Sequence, residues 1–434
     1  MGRQLADKWL PRRSGRAGKT GTGGLHVDLF GTAAHDVLRS RVREFAEAEI
    51  RPRIAELEAE RIVAEVGRKL SRMIAEQGWI GATISREYQG MGVGHLGKTV
   101  IIEELSRVCG AMGAMAQASI LGVAKIIHFG DAAQRAAWLP RIARGACLPT
   151  IAVTEPGSGG HVLGMAASAV RDGGDYVLDG RKVYVGNSHV GDLHGVVVRT
   201  GRGSRGLTAF LVEADRPGVR LVPQRESMGL HGFSFGEIVL DGVRVPAAHR
   251  LGEEGQGLDV AYSSSTLYGR PNLAAVSLGI HQAVVEETAA FCAERIRYGR
   301  PLKDLTNIKI KLGEMQSRLM TARTALYHAV SLLDHGMPCD EEMMSAKAVN
   351  AEYAITSARQ AMEIHAAAGL FTDRGVERHV RDAFHILAPA GTSDVQYLRL
   401  AETALGEGKG SWSVRLAHVA RTVPQGPERG LLAV

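Results

Sequence analysis

The sequence predicts an α+β chain with an N-terminal helical domain, a middle antiparallel β domain and a C-terminal helical bundle. Three observations carry this. From Ala33 to about Arg144, apolar residues recur at helical spacing. From Thr150 to about Gly257, short β-type runs alternate with Gly and Asp turns. From Leu258 onward, long helical periodicity returns.

The 434 residues are long enough for two or three domains, and 45% hydrophobic with 23% charged residues is ordinary for a soluble globular chain. Part of the net charge of +6 lies near the start, where Arg3, Lys8, Arg12, Arg13, Arg16 and Lys19 sit among Gly, Ser and Thr. That stretch, 1–30, reads as a disordered, solvated basic leader rather than a nucleic-acid arm. It has no signal-peptide apolar core, and no later run is read as membrane-spanning. Neither nucleic acid nor membrane is an expected partner. Cys109, Cys147, Cys292 and Cys339 have neither metal spacing nor a disulfide framework, so no metal and a cytoplasmic location are expected.

The expected N-terminal domain covers 31–148. Val37, Val42, Phe45 and Ile50 make one apolar face, and Ile62, Val66, Leu70, Met73 and Ile74 another. Arg86–Gly92 interrupts the helices with a glycine-rich loop. Val100–Leu105, ending Glu-Glu-Leu, opens a largely apolar helix, and Gly130-Asp131 precedes a short one carrying Trp138-Leu139-Pro140. The middle domain, 149–257, contains β-type runs at Tyr176–Gly180, Gly195–Val198, Thr208–Val212 and Glu237–Gly242, as in a barrel or sandwich. The C-terminal domain, 258–421, carries helices over Pro271–Ile296, Ile308–His335 and Glu341–Ala368, and a last one from Ser393 to about Gly406. Residues 422–434 lack periodicity and read as a tail.

The most informative stretch is Ala152-Val153-Thr154-Glu155-Pro156-Gly157-Ser158-Gly159-Gly160. Its glycines let backbone N–H groups approach a flat, phosphate-bearing ligand. The stretch resembles the flavin loop of the acyl-CoA dehydrogenase family, which ends Gly-Ser-Asp; Gly160 stands for that Ser and His161 for the Asp. The resemblance runs from about residue 33 to about residue 417 and includes the helical, β, helical order.

The resemblance implies bound FAD. Val153 and Thr154 would contact the flavin ring, Gly159 and Gly160 would lie near the pyrophosphate, and Tyr184 would cover the flavin edge. Gly186 replaces a hydroxyl residue that sits near the reactive flavin nitrogen. A neighbouring subunit would complete the site, so a homodimer or homotetramer is implied. Arg295 matches an arginine that reaches the pyrophosphate, where a planar guanidinium binds two oxygens at once. Tyr298 replaces a Phe and Thr306 a Gln. Glu363–Gly369 resembles Gln-x-x-Gly-Gly-x-Gly, with Ala366 and Ala367 in place of two glycines. Thr392 and Asp394 match positions at the start of the last helix.

Dehydrogenation of an acyl thioester needs a base for the α-proton. The family's usual Glu is Ala390 here, in Pro389-Ala390-Gly391-Thr392. The alternative Glu position of one branch is Gly269, in Tyr268-Gly269-Arg270. Neither can accept a proton, and a missing general base costs about 10²–10⁴ in rate. Asp394 reads as a helix-start residue, while Tyr268, His231 and His385 could reach a pocket. Three readings follow: a flavin oxidoreductase acting on acyl-CoA or an acyl-carrier protein with a non-standard base; an oxygen-using monooxygenase or oxidase on the same fold; a non-catalytic partner subunit of a heteromeric dehydrogenase.

Overall fold

A computed structural model describes residues 31–408 and 410–420; the expected leader at 1–30 and tail at 422–434 lie outside the described residues. Helix α1 (Ala33–Phe45) buries Leu38 and Val42, whereas Val37, expected on that face, is 61% exposed. The buried stripe continues through Ala46 and Ile50, a spacing of four residues. A π turn at Ala46–Ile50 accommodates that spacing because its i→i+5 hydrogen bonding puts more residues in each turn than an α-helix has. Next come α2 (Ile54–Glu60) and α3 (Glu65–Glu76), which buries Leu70 and Ile74.

Helices α4 (Gly94–Val108) and α5 (Gly110–Phe129) meet at Cys109, which is extended and breaks what would otherwise be one long helix. By length and composition α5 could cross a membrane, which corrects the expectation that no run reaches that length. However, 89% of its apolar window is buried inside the protein, so it serves as the central core helix. Helix α6 (Ala132–Ala143) starts at a capping box: Asp131 accepts from the Gln134 N–H at 2.7 Å, and Gln134 accepts from the Asp131 N–H at 3.1 Å.

The middle domain holds β1 (Pro149–Ala152), β2 (Ser168–Asp172), β3 (Asp175–Gly186), β4 (Leu193–Arg199), β5 (Leu207–Glu213), β6 (Val219–Val222), β7 (Phe235–Pro246) and β8 (Arg250–Leu251). They form one eight-stranded sheet in the order β6-β7-β3-β2-β4-β5-β8, with β1 parallel to β4 and most other pairs antiparallel. Both faces are buried at β4 and β5. Val196, Val198, Phe210 and Val212 pack with residues of β3 and β7, while Val197, Ala209 and Leu211 join the helical core. Burial on both sides explains why these two strands read as continuous apolar runs rather than alternating ones.

The C-terminal bundle contains α7 (Gly257–Ser264), a π turn at Ser265–Gly269, α8 (Arg270–Glu294), α9 (Thr306–Asp334), α10 (Asp340–His365), α11 (Val376–His385) and α12 (Ser393–Ala404). A small hairpin, β9 (Ile296–Arg297) and β10 (Arg300–Pro301), links α8 to α9. Helix α11 was not foreseen from the sequence, because ten residues between glycine-containing loops give too short a periodic signal.

The Glu-Glu pair of α4 ties the outer helices together. Glu103 accepts from Arg323 at 2.7 Å and from the Tyr327 hydroxyl at 2.5 Å, both on α9. Glu104 is paired with Arg39 at 2.5 Å and Arg43 at 2.9 Å on α1. Both carboxylates are buried. Desolvation opposes the Glu103 charge, but Arg39 and Arg323 prevail and hold its pKa down at about 2. This depression stabilises the fold above the ordinary Glu range, and the contribution is lost as pH falls from about 4.5 toward about 2. Glu103→Gln should lower stability, since it removes the carboxylate that pairs the partly buried Arg323. It should also flatten the acid limb of the stability profile, as read by denaturant unfolding between those two pH values.

Candidate functional site

The glycine-rich loop is held by an ion pair that the sequence reading missed. Glu155 and Lys182 are both buried, with Nζ 2.7 Å from Oε1. Lys182 also donates to the Val153 carbonyl at 3.0 Å, and Glu155 accepts from the backbone N–H groups of Ala166 and Ala167. Burial lowers the Lys182 pKa, and the Glu155 carboxylate opposes that shift. The Val183 N–H donates to the Thr154 carbonyl at 2.9 Å, so the loop lies against β3. The loop's own glycines face space: a Cβ at Gly157, Gly159 or Gly160 would meet nothing within 4 Å. Ser158 donates to the His161 carbonyl at 2.6 Å, and the His161 side chain is exposed.

Opposite that space, β3 bulges between Lys182 and Val185. The extra residue turns Tyr184 outward, with φ of +56° and 58% exposure. A bulky residue in the left-handed region carries a local cost that persists only where the surroundings impose it. Tyr184 stacks on Phe235 at 5.8 Å, and His385 meets the edge of Phe235 at 5.3 Å. Gly186 is enclosed: a Cβ there would lie 3.0 Å from the Ala118 methyl and 3.2 Å from Phe233. The close packing of α5 therefore leaves little room for a side chain at this position.

The structure brings Gly269 and Ala390 together. A Cβ at Gly269 would lie 3.4 Å from the Ala390 Cβ. Ala390 has φ of +55°, and Gln396 donates to the carbonyls of Ala390 and Gly391, each at 3.0 Å. Thr392, the N-cap of α12, and Asp394 in its first turn are exposed. The expected helix-start role of Asp394 matches this placement.

Of the three alternative bases, His231 is engaged with Glu58 at 3.0 Å and the Ser227 carbonyl at 3.1 Å. Tyr268 is buried among His95, His128 and Lys98, with the Lys98 ammonium 4.5 Å over its ring. Burial drives the Tyr268 pKa above its usual range. His385 alone of the three packs against Phe235, the ring on which Tyr184 stacks, and burial lowers its pKa to about 4, so it is neutral at pH 7.

Arg295 and the turn after α10 form a separate, open cleft of about 720 Å³, lined by Phe291, Glu294, Arg295, Ala368, Phe371 and Arg374 among others. Beside it Tyr298, at the hairpin tip, is 91% exposed with φ of +53°. Ala366 has φ of +51° and ψ of −138°, a conformation natural to glycine, and Ala367 is exposed. The backbone shape of the resembled glycine stretch is thus kept at Ala366 despite its methyl group. Glu363 is exposed and pairs with Lys311 at 2.7 Å. Thr306 opens α9.

Family models for the N-terminal, middle and C-terminal domains of acyl-CoA dehydrogenase match residues 32–146, 150–243 and 255–405. The chain belongs to the acyl-CoA dehydrogenase family. It is 31% identical over 373 residues to an acyl-CoA dehydrogenase of Bacillus subtilis (strain 168), covering 85% of this chain and 97% of that protein. The butyryl-CoA dehydrogenase structure from Megasphaera elsdenii superposes with a TM-score of 0.83 at 27% identity, over 86% of this chain and 98% of that one. The structure of a prolyl acyl carrier protein oxidase, AnaB, superposes with a TM-score of 0.80 at 27% identity, over 86% and 99%. Acyl-CoA dehydrogenase family membership makes this chain an oxidoreductase of the flavin-dependent kind. The open glycine loop and the outward Tyr184 fit a flat, phosphate-bearing cofactor.

Replacing Lys182 by Met would leave Glu155 buried and unpaired at the base of this loop. The variant should lose about 3–5 kcal/mol of stability and retain less flavin on purification, as read from the ratio of visible to 280 nm absorbance. Lys98 gives a test of opposite sign. Burial lowers its pKa to about 7, so folding disfavours its proton, and stability should rise as pH increases from about 7 toward about 10. Lys98→Met should remove that rise in denaturant unfolding.

Proposed function

We propose that this chain is an FAD-dependent oxidoreductase that acts on the Cα–Cβ bond of an acyl thioester, carried on CoA or on a carrier protein. The observation that supports it most directly is the convergence of Gly269 and Ala390 to 3.4 Å. Two distant segments meet there, at the two positions whose surrounding sequence resembles the family's base-bearing stretches, and neither carries a carboxylate. Bound FAD would supply the hydride acceptor. Val153 and Thr154 would present backbone and hydroxyl groups to its ring, Tyr184 would shield the edge, and Arg295 with the Ala366 turn would serve the cofactor of a second copy. The assembly is then at least a homodimer.

The proton must go elsewhere than position 269 or 390. His385 is neutral, borders the Tyr184 face through Phe235, and has Nδ1 buried without a partner.

The missing carboxylates also favour a second reading, in which the flavin works with oxygen and needs no α-proton base. Anaerobic addition of an acyl thioester separates the two. Bleaching of the flavin supports dehydrogenation, whereas a flavin that turns over only with an external reductant and oxygen supports the second. A colourless protein would sink both.

Gly269 has ordinary helical dihedrals, φ −57° and ψ −53°, and a Cβ there makes only van der Waals contacts. Gly269→Glu should therefore meet no backbone strain at its Cβ, and a folded variant is confirmed by circular dichroism before it is assayed. If α-proton removal limits the wild-type enzyme, this variant should speed anaerobic flavin bleaching by about 10²–10⁴. No acceleration in stopped-flow traces would count against the dehydrogenation reading.

A further inference from the structure

Helix α10 grips the turn before α12 on both sides of Ala390. Lys347, fully buried on α10, donates its ammonium to the Leu387 carbonyl at 2.7 Å, three residues before Ala390. Glu352, on the same helix, accepts from the Ser393 hydroxyl at 2.6 Å, three residues beyond it. From the other segment, Arg270 directly follows Gly269, is partly buried, and donates to the Thr266 hydroxyl at 2.8 Å.

Each of these two cations is bonded to a neutral oxygen, and among the described residues neither forms an ion pair. Facing them are Glu352 and Asp340 of α10, Arg399 of α12 and Tyr262 of α7. The two acids are themselves occupied, Glu352 by Ser393 and Asp340 by the Ser411 hydroxyl and the N–H groups of Trp412 and Ser413. A carboxylate at position 269 or 390 would offset some of the positive charge, and Gly and Ala cannot. Three residues of chain reach at most about 11 Å, so the Lys347 ammonium lies within about 14 Å of Ala390. At that limit, with an effective dielectric constant of about 20, one charge changes the equilibrium that creates another by about tenfold.

We infer that the Lys347 ammonium, with Arg270 behind Gly269, supplies a positive field under which negative charge forms where Gly269 and Ala390 meet. This rests on the thioester reading above, in which departure of the α-proton leaves negative charge on the α-carbon and its carbonyl oxygen. Lys347 is a positioning residue: it acts through the Leu387 carbonyl and through its charge, which is fixed in place before the reaction begins. Burial lowers its pKa to about 8, with Glu352 opposing that shift and Arg270 adding to it. The field is therefore present below pH 8 and lost as pH rises through that value.

The first test needs no substrate. An isotope-labelled carboxyl introduced by Gly269→Glu and titrated by NMR reports the field at the meeting point. Adding Lys347→Gln, which keeps a donor for Leu387 but carries no charge, should raise the pKa of that carboxyl by about one unit. Should Gly269→Glu misfold, Ala390→Glu brings the carboxyl to the same point. An unchanged pKa would overturn the inference. The second test follows anaerobic flavin bleaching by butyryl-CoA across pH. Below pH 8 the protein with Lys347 should bleach about tenfold faster than Lys347→Gln, and the ratio should fall toward unity above it. A ratio that does not change with pH would make Lys347 a structural bond only, and would also overturn the inference. If the carboxyl pKa shifts but no acyl thioester bleaches the flavin, the thioester reading falls and the assignment of the field to Lys347 stands.

Discussion

The buried pair between Glu155 and Lys182 is the constraint on which the site depends. Separating these charges inside the protein would be far costlier than separating a surface pair. The pair therefore fixes three things at once. It pins the strand end at Val153, it anchors the turn around Ala166 and Ala167 through two backbone N–H groups, and it sets the register of β3 just before the bulge. With that register set, Tyr184 has only one direction to go. The same pair removes Glu155 from any proton-transfer role, because its oxygens are already committed.

Around this pin the three domains are joined by close backbone approach and by charge. Small residues on α5 make the first possible. A Cβ at Gly122 would lie 2.5 Å from the backbone of Pro149, so β1 sits directly on the helix. Ala118 does the same under Gly186. Charge makes the second, since Glu103 and Glu104 face opposite helices and hold α1 and α9 against α4. An apolar α5 is what lets one element serve the sheet on one side and the bundle on the other.

The order of domains was readable because long periodic helices and short β runs differ in period, and the flavin loop because glycines and Thr-Glu-Pro are local. Partnerships across the chain were not. Lys182 reads as an ordinary strand lysine until Glu155 is seen beside it, 27 residues away. Val37 looked like a core residue because it is apolar and next in sequence to the residue that is buried, and only the folded helix shows that Leu38, not Val37, lies in line with Val42. Gly186 looked like a loss of chemistry; its neighbours Ala118 and Phe233 show a steric cause.

A Cβ at Gly269 would lie 3.4 Å from that of Ala390, so side chains entering from the start of α8 and from the turn before α12 would meet at one point. Carboxylates placed at both would compete for a single proton, and one of them would be forced to stay neutral. One acidic residue is therefore the most that this point could hold in charged form, from whichever segment it came.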